Sequence, residues 1–370
     1  MNNLIYFSTR MVRLYDFDIT NIEYQHCDWF KLIEGLEWPS HTTSRVHQLN
    51  TPWTLAPSVC SIPELIHNEE NFDNVIDSIA EKFCQQVTQS GRTPYISWSG
   101  GIDSTSILVS LLKTGNTNFL EKLIVLYNNN SIKENPYFYH RFIDQKLQTQ
   151  DINTLSINAL NFDKIVIVDG EAGNQCLGWR AIHVHSYYQN FDFLDQSWKT
   201  VSDLTTAIPG STALTVQLIK DSILHAPIDI ETVYDFIWWA NFNFKFDEVL
   251  IRKVPTYTKN LTAQQTQLFY NQGLYRFYAQ PEMQVWSMIS KDQRRKSTRN
   301  VISKWAPKNY IYQFDHNDLW YASKKEEASK SHFDVNSETA KLIAIDNEWN
   351  KYYITDPDVR KALGKILQRI

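Results

Sequence analysis

The sequence predicts an α/β fold in which a parallel, doubly wound sheet is followed by a mainly helical part. Segments typical of buried strands alternate with segments of helical spacing between residues 71 and 180. Two of the strand segments run directly into glycine turns, in "TPYISWSGG" and "FDKIVIVDGEAGN". Strands that alternate with helices form parallel sheets with right-handed crossovers, which is why this order predicts the fold class.

The predicted elements follow one another along the α/β part. Apolar residues at helical spacing predict a helix in "NFDNVIDSIAEKFCQQVTQ", which ends before Gly91. A strand in "TPYIS" then leads into a helix in "DSTSILVSLLKTG", and "EKLIVLYNN" is the second strand. A helix that opens at Pro136, a short strand in "NTLSIN" and the strand in "FDKIVIVD" complete this part.

The predicted division of the chain has three parts. Residues 1–70 are rich in Pro, Ser and Thr and form an irregular segment; whether it is the reduced remnant of a domain stays open. Residues 71–180 form the nucleotide-binding α/β core. Residues 181–370 are predicted to be helical and aromatic, with runs such as "FIWWANFNFKF" that are more typical of a core than of a base-stacking surface.

Composition excludes several classes of protein. The net charge is −5, whereas general nucleic-acid binders usually carry a basic face, so a nucleic-acid partner is not expected. The four cysteines form no C-x-x-C pair, which argues against a zinc site and a disulfide framework. The sequence contains no signal-peptide pattern and no apolar run of membrane-spanning length. We therefore expect a cytoplasmic protein without a membrane partner.

The stretch "SWSGGIDSTS", residues 97–106, is the first candidate site. It follows a strand and opens a helix, where free backbone N–H groups and the helix dipole attract phosphate. Its glycines allow the backbone to approach a ligand, and its hydroxyl residues offer further donors. The alternative is a tight turn that Ser and Asp side chains cap. The spacing of a Walker A loop is absent.

Within this stretch, "SGGIDS" resembles the S-G-G-x-D-S signature of the PP-loop ATP pyrophosphatases, in which it grips the pyrophosphate of ATP. "VDGEAGNQCLGW", residues 168–179, resembles the S-G-E-G-S-D-E-x-x-G-G segment of the asparagine synthetase branch. "RFYAQPEMQVWSM" and "RRKSTRNVISKWAPKNYIYQFDHNDLWYASKKEEAS" resemble later segments of that branch. The likeness covers about residues 55–335 and implies a PP-loop, HUP-like fold with ATP and Mg²⁺ as cofactors.

The resemblance implies that one group of residues binds the nucleotide. Residues 99–104 would hold the pyrophosphate, and the end of the second strand would contact adenine, partly through its backbone. The implied nucleotide-binding residues are Ser97, Ser99, Gly100, Gly101, Ile102, Asp103, Ser104, Leu126, Tyr127 and Gly170.

Catalytic and metal-binding roles are implied in the same way. Asp103 and Asn174 would hold Mg²⁺, and Asp103 is also a candidate catalytic residue. Glu171 would face the adenylated substrate. Lys325 would match the lysine that stabilises negative charge as pyrophosphate leaves. The alternative for Lys325 is a solvated surface run, "KKEE".

The chain departs from the synthetase pattern at three places. Asn174 and Gln175 stand where the family has an acidic pair, and a neutral amide holds Mg²⁺ less strongly than a carboxylate; Asp169 could compensate. Tyr278 is nearest to a position where the family has a glutamate that handles the incoming amine. Asn2 stands where asparagine synthetases have the glutaminase cysteine, so the amine would come from free ammonia, a separate glutaminase or the substrate itself.

Three functions remain open from the sequence. The first is an ATP-dependent carbon–nitrogen ligase that adenylates a small carboxylate or peptide, releases AMP and pyrophosphate, and forms an amide with an amine. The second is a PP-loop enzyme that modifies tRNA or a nucleobase, against which the acidic net charge argues. The third is a nucleotide-binding homologue without catalysis, which the neutral residues at 174 and 175 favour.

Overall fold

The computed structural model describes residues 4–7, 44–49, 59–65, 71–154, 161–178, 191–251, 254, 261–295, 304–322 and 342–353. The chain divides into two compact units. We call residues 63–178 and 268–331 the parallel-sheet unit, and residues 1–62, 179–267 and 332–370 the antiparallel-sheet unit. The three-part division that the sequence predicts stays a prediction.

The strands of the described residues are short. In chain order they are β1 (Leu4–Phe7), β2 (Thr93–Ser97), β3 (Ile124–Tyr127), β4 (Gln148–Asp151), β5 (Ile165–Asp169), β6 (Leu274–Arg276), β7 (Leu342–Asp346) and β8 (Lys351–Tyr353).

Helices occupy much of the remaining described chain. They are α1 (Phe72–Ser90), α2 (Ile102–Thr114), α3 (Thr117–Lys122), α4 (Asn129–Glu134), α5 (Pro136–Phe138), α6 (Gly173–Leu177), α7 (Phe191–Asp195), α8 (Ala213–Ile223), α9 (Val233–Phe244), α10 (Phe246–Ile251), α11 (Ala263–Leu268), α12 (Pro281–Ile289), α13 (Lys291–Arg295), α14 (Trp305–Asp315) and α15 (Asp318–Ala322). Two π-helical turns continue α5 and α11 over Tyr139–Ile143 and Phe269–Gly273. Short 3₁₀ turns lie at Ile152–Thr154, Leu204–Thr206 and Phe277–Ala279.

A five-stranded, all-parallel sheet forms the centre of the parallel-sheet unit. Its strand order is β4-β3-β2-β5-β6, with β2 in the middle. After β2, the next two strands in the chain, β3 and β4, are added along one direction of the sheet. β5 and β6 are then added on the opposite side of β2, in the plane of the sheet. This reversal is compatible with a Rossmann-like fold. The predicted α/β class with a parallel sheet is thereby confirmed.

The burial of β5 matches its position inside the sheet, between β2 and β6. All five residues of β5, "IVIVD", are buried, whereas β2 alternates between half-buried and buried positions. Continuous apolar runs of β-branched residues are typical of parallel strands that are covered on both faces. The two strands pair in register from Thr93 opposite Ile165 to Ile96 opposite Val168.

Helix α1 confirms the helix that the apolar spacing predicts before Gly91. The side chain of Asn71 accepts a hydrogen bond from the backbone N–H of Asn74 at 2.8 Å and so caps the first turn. Gly91 ends the helix with a left-handed φ of 69°. The buried face of α1 packs against α2, and its buried residues are Phe72, Val75, Ile76, Ile79, Ala80, Phe83, Cys84 and Val87.

Two strands differ from the sequence prediction. The strand predicted in "NTLSIN" is wrong for Asn153 and Thr154, which lie in a 3₁₀ turn after the end of β4 at Asp151; its remaining residues lie outside the described residues. β4 has the polar sequence "QTQD" and lies at the sheet edge, so no apolar pattern marks it. The other edge strand, β6, has only three residues after Gly273, too few for a detectable period.

The antiparallel-sheet unit contains a small sheet and a deeply buried helix. Strand β7 lies between β1 and β8 and pairs with both in antiparallel orientation. Every residue of α9 is buried, and the rings of Trp238 and Phe242 stack with their centroids 4.7 Å apart. The prediction that this aromatic run belongs to a core is therefore confirmed. Among the described residues, no helix has both the length and the apolar character that crossing a membrane requires.

Lys308 gives the parallel-sheet unit a pH dependence that can be measured. Its ammonium donates a hydrogen bond to the backbone carbonyl of Tyr321 at 3.1 Å, and burial lowers the pKa of Lys308 from 10.5 to about 8. The pKa of Lys308 is lower in the folded protein than in the unfolded chain, so protonation of this lysine lowers the free energy of unfolding. This loss of stability is complete below pH 8 and disappears as the pH rises toward 10.5.

We therefore expect the wild-type protein to gain about 2 kcal/mol of unfolding free energy relative to the Lys308→Met variant between pH 7 and 9.5. Urea unfolding of both proteins at a series of pH values measures this difference. Using the difference cancels the titration of all other groups, and a difference that stays constant with pH would contradict the assignment.

Candidate functional site

The candidate site lies at the carboxyl end of the central strand. Residues 98–101 connect β2 to α2, and residues 170–172 connect the neighbouring strand β5 to α6. These two glycine turns lie at the same edge of the sheet because β2 and β5 are parallel neighbours. They also flank the point where the strand order reverses, which is where open α/β sheets bind ligands.

Gly100 fixes the path of the first turn. Its φ is 76°, a left-handed value that glycine adopts without steric cost. A Cβ atom at this position would lie 2.3 Å from the backbone oxygen of Ser131 and 2.9 Å from Cβ of Glu134. The turn therefore passes directly against α4, and only glycine fits at residue 100.

The first turn of α2 keeps its backbone donors available. Gly101 is the N-cap residue, and among the residues that the structure describes no side chain caps this helix. The first N–H groups of a helix have no intrahelical partner, so those of residues 102–104 face the start of the helix. By contrast, Asn71, Asn116 and Asn128 cap α1, α3 and α4 with their side chains. An uncapped N-terminus next to glycines is suited to an anion.

Hydroxyl groups connect the two ends of the turn. The hydroxyl oxygens of Ser99 and Ser104 lie 3.0 Å apart, and Ser104 Oγ also accepts a hydrogen bond from the backbone N–H of Ser99 at 3.0 Å. The indole N–H of the buried Trp98 donates to Thr105 Oγ1 at 3.1 Å. The structure thus brings the predicted residues Ser99 and Ser104 together, and it adds Trp98 as the anchor of the turn.

Asp103 forms an ion pair that the sequence did not predict. The ammonium nitrogen of Lys304 lies 2.6 Å from each of the two carboxylate oxygens of Asp103. The two side chains are only 12% and 23% exposed, respectively. Lys304 directly precedes α14 and has a left-handed φ of 53°, which is uncommon for a residue with a side chain. Asp103 therefore has a positive charge beside it before any ligand binds.

The second glycine turn packs against Asp103. A Cβ atom at Gly173 would lie 2.6 Å from Cγ of Asp103, and one at Gly170 would lie 3.4 Å from its Cβ. Ala172, between them, has a left-handed φ of 66°. The buried carboxylate of Asp169 accepts a hydrogen bond from the backbone N–H of Glu171 at 3.1 Å, which fixes the start of the turn.

The other predicted residues of this turn are placed as follows. Glu171 is half-buried, the side chain of Asn174 is exposed, and Gln175 is buried. Both oxygens of Asp103 accept hydrogen bonds from Lys304, so Mg²⁺ at these oxygens would have to displace the ammonium. As it stands, Asp103 therefore does not fit a Mg²⁺ ion, and the expected role of Asn174 in the metal site stays a prediction. Within the described ranges, no three His, Cys, Asp or Glu side chains are grouped so that they could hold a metal ion.

Tyr278 supports the first turn of α2 from the interior. Its hydroxyl lies 2.7 Å from Ser106 Oγ and donates to the backbone carbonyl of Asp103 at 3.3 Å. Burial, together with the nearby Asp103 carboxylate, raises the pKa of the Tyr278 phenol well above its usual value. The phenol thus stays protonated and holds the turn that carries Asp103.

The end of β3 lies beside residues 98–101, the loop that follows β2, as the sequence predicts for two neighbouring parallel strands. Leu126 pairs with Ser97 in register, and its backbone carbonyl accepts a hydrogen bond from Trp98 N–H at 2.9 Å. The side chain of Leu126 is buried, whereas Tyr127 is half-buried with its ring 5.4 Å from that of Tyr139. Tyr127 is thus the more accessible of the two predicted adenine contacts.

Lys325 lies outside the described residues, so its predicted role stays a prediction. Among the described residues, Lys304 is a lysine that the structure brings to the site, and it is the last residue of the basic run "KDQRRKSTRNVISK". For this run, residues 291–304, the sequence left open a contact with phosphate or RNA and favoured a solvated helix face, whereas the resemblance to the synthetase implied a place near the nucleotide.

Comparisons with known proteins found no match: none of the family models, curated proteins or solved structures that were compared is similar to this chain.

The close contact at Gly100 predicts a specific loss of stability. Alanine at Gly100 or at Gly91 incurs the same left-handed strain of about 1 kcal/mol, because φ is 76° and 69°. Only at Gly100 does the new Cβ meet neighbouring atoms, since nothing lies within 4 Å at Gly91. We expect Gly100→Ala to lower the unfolding free energy by about 1–3 kcal/mol more than Gly91→Ala. Urea unfolding of both variants measures the difference, and equal losses would show that the contact with α4 is not tight.

Proposed function

We propose that this chain is an ATP-dependent carbon–nitrogen ligase that adenylates a carboxylate and releases AMP and pyrophosphate. The observation that carries the proposal is the uncapped N-terminus of α2, which follows two glycines at the carboxyl end of the central strand. Such a helix start binds phosphate through its N–H groups and its dipole. The strand order with β2 in the centre supports a doubly wound sheet of the PP-loop, HUP-like type.

The proposed first step is an attack of the substrate carboxylate on the α-phosphorus of ATP. The new bond joins a carboxylate oxygen to phosphorus, and the bond from the α-phosphorus to the bridging oxygen of the β-phosphate breaks. Pyrophosphate leaves with that electron pair, and the N–H groups of residues 102–104 and the hydroxyls of Ser99 and Ser104 donate to its oxygens. Donors that are already oriented toward developing charge lower the barrier most effectively.

In the second step an amine attacks the acyl carbon of the adenylate, AMP leaves, and the amide forms as the amine loses a proton. Glu171 lies on the neighbouring turn beside Asp169 and is the proposed residue that faces the adenylate. Ser97, Leu126 and Tyr127 lie at the ends of β2 and β3; Leu126 and Tyr127 are the proposed contacts of the adenine base, and Ser97 is a further proposed nucleotide-binding residue. Lys325 keeps its proposed role at the leaving pyrophosphate. Because Lys304 holds Asp103, no step of this proposal uses the expected Mg²⁺.

The proposed substrates are ATP, a small carboxylic acid or peptide, and an amine. The amine comes from ammonia, from the substrate or from a separate glutaminase. Binding both reactants in one orientation would supply much of the acceleration, since it removes the entropy cost of a bimolecular encounter.

The ion pair of Asp103 with Lys304 also favours a second function, a nucleotide-binding protein without catalysis. Asn174 is neutral and exposed, and Asp103 already has a counter-ion. A chain of this kind would hold ATP on the same helix N-terminus but would not cleave it.

Turnover of ATP with a panel of amino acids, peptides and ammonia distinguishes these functions. We expect AMP and pyrophosphate to form only when a carboxylic acid is present. Asp103→Asn should reduce the rate by about 100-fold, because the amide removes the charge that holds Lys304 beside the phosphate site. ATP that binds in calorimetry but is not cleaved with any acid would favour the second function.

Asp163→Asn is the matched control for this assay. Asp163 is exposed and lies just before the amino-terminal end of β5, whereas the candidate site lies at the carboxyl ends of the strands. The same change of side chain should therefore leave the rate unchanged. Formation of ADP and phosphate instead of AMP and pyrophosphate, or equal losses in the two variants, would contradict the proposed reaction.

A further inference from the structure

The Lys304–Asp103 ion pair occupies the place at which the resemblance expects a magnesium ion. The ammonium of Lys304 is 2.6 Å from each carboxylate oxygen of Asp103, which is close enough for a charge-assisted hydrogen bond to either oxygen. Nearby, Gly173 packs so closely that a Cβ would lie 2.6 Å from Cγ of Asp103. The chain therefore places its own cation at both oxygens of the carboxylate.

The backbone around Lys304 holds this cation in a defined place. Lys304 has a left-handed φ of 53° and directly precedes α14, which packs against α2. Left-handed residues with side chains cost about 1 kcal/mol or more and persist only where the surrounding structure fixes them. The packing of the two helices and the two hydrogen bonds to Asp103 therefore fix the position of the ammonium beside the first turn of α2.

The charges at this turn have a consequence for phosphate. The carboxylate of Asp103 alone would repel a polyphosphate at the helix N-terminus, and a cation beside it removes that repulsion. A metal ion usually supplies this charge at phosphate sites, but a lysine ammonium binds phosphate as a point charge as well. The second expected metal ligand, Asn174, brings no negative charge.

We propose that Lys304 takes the place of Mg²⁺ at this site, so that the chain binds the phosphates of ATP without a divalent cation. The inference rests on the proposed function, because it assumes that the loop at residues 97–106 binds ATP. It assigns the neutralisation of Asp103 and a direct contact with phosphate to Lys304.

Calorimetric titration of the full chain with ATP, in EDTA and in Mg²⁺, tests this proposal without any turnover. The wild-type chain should bind ATP in EDTA within about threefold of its affinity in Mg²⁺. Lys304→Met should weaken binding in EDTA by about 10–100-fold, the usual range for the loss of a hydrogen bond to a charged group. Mg²⁺ should restore part of the affinity of this variant, because the oxygens of Asp103 are then accessible to the ion.

Two further variants serve as controls. Lys304→Arg keeps the positive charge and should retain ATP binding in EDTA, which separates a role of the charge from a defect in folding. Lys122→Met removes an exposed lysine at the end of α3. This lysine lies just before the amino-terminal end of β3, away from the carboxyl ends of the strands where the candidate site lies. It should bind ATP as the wild-type chain does.

Binding of ATP to the wild-type chain that requires Mg²⁺ would overturn this inference and leave the proposed function intact. Unchanged binding of ATP to Lys304→Met in EDTA would overturn it in the same way. If the wild-type chain fails to bind ATP in both EDTA and Mg²⁺, the proposed function fails and the inference fails with it.

Discussion

The parallel pairing of β2 with β5 is the interaction on which the candidate site depends. β5 is buried along its whole length, and its register places Val168 opposite Ile96. The two strands consequently end at nearly the same level, and the glycine turns that follow them meet. Because Gly173, the first residue of α6, lacks a side chain, the start of α6 can pack against Asp103 in the first turn of α2. The apolar β-branched residues of β5 thus determine, through the sheet, where polar groups of two separate loops come together.

The features that depend on residues close together in the sequence could be predicted from it. The runs "TPYIS" and "IVIVD" and the glycines after them indicated both turns and their common edge of the sheet. Edge strands β4 and β6 could not be predicted, since one is polar and the other has three residues. Lys304 is 201 residues from Asp103 in the chain, so no local pattern could reveal their contact.

Tyr278 shows how a single difference from the synthetase pattern changes the expected chemistry. A glutamate at such a position could accept a proton from an amine, whereas a buried phenol with a raised pKa stays protonated. Its hydroxyl instead contacts Ser106 and the backbone of Asp103 within the first turn of α2. The same position therefore supports the first turn of α2, and in the proposed reaction the proton of the amine would have to pass to another group, such as Glu171.

The antiparallel sheet has a consequence for the order of folding. β1 starts at Leu4, but its partner β7 starts at Leu342, so the sheet closes across most of the chain. During synthesis β1 cannot pair with β7 until β7 has been synthesised and has left the ribosome, because pairing requires both strands. β2, β3, β4 and β5, by contrast, all lie between residues 93 and 169 and can pair earlier. The nascent chain can therefore pair β2, β3, β4 and β5, which position the glycine turns, well before β1 pairs with β7.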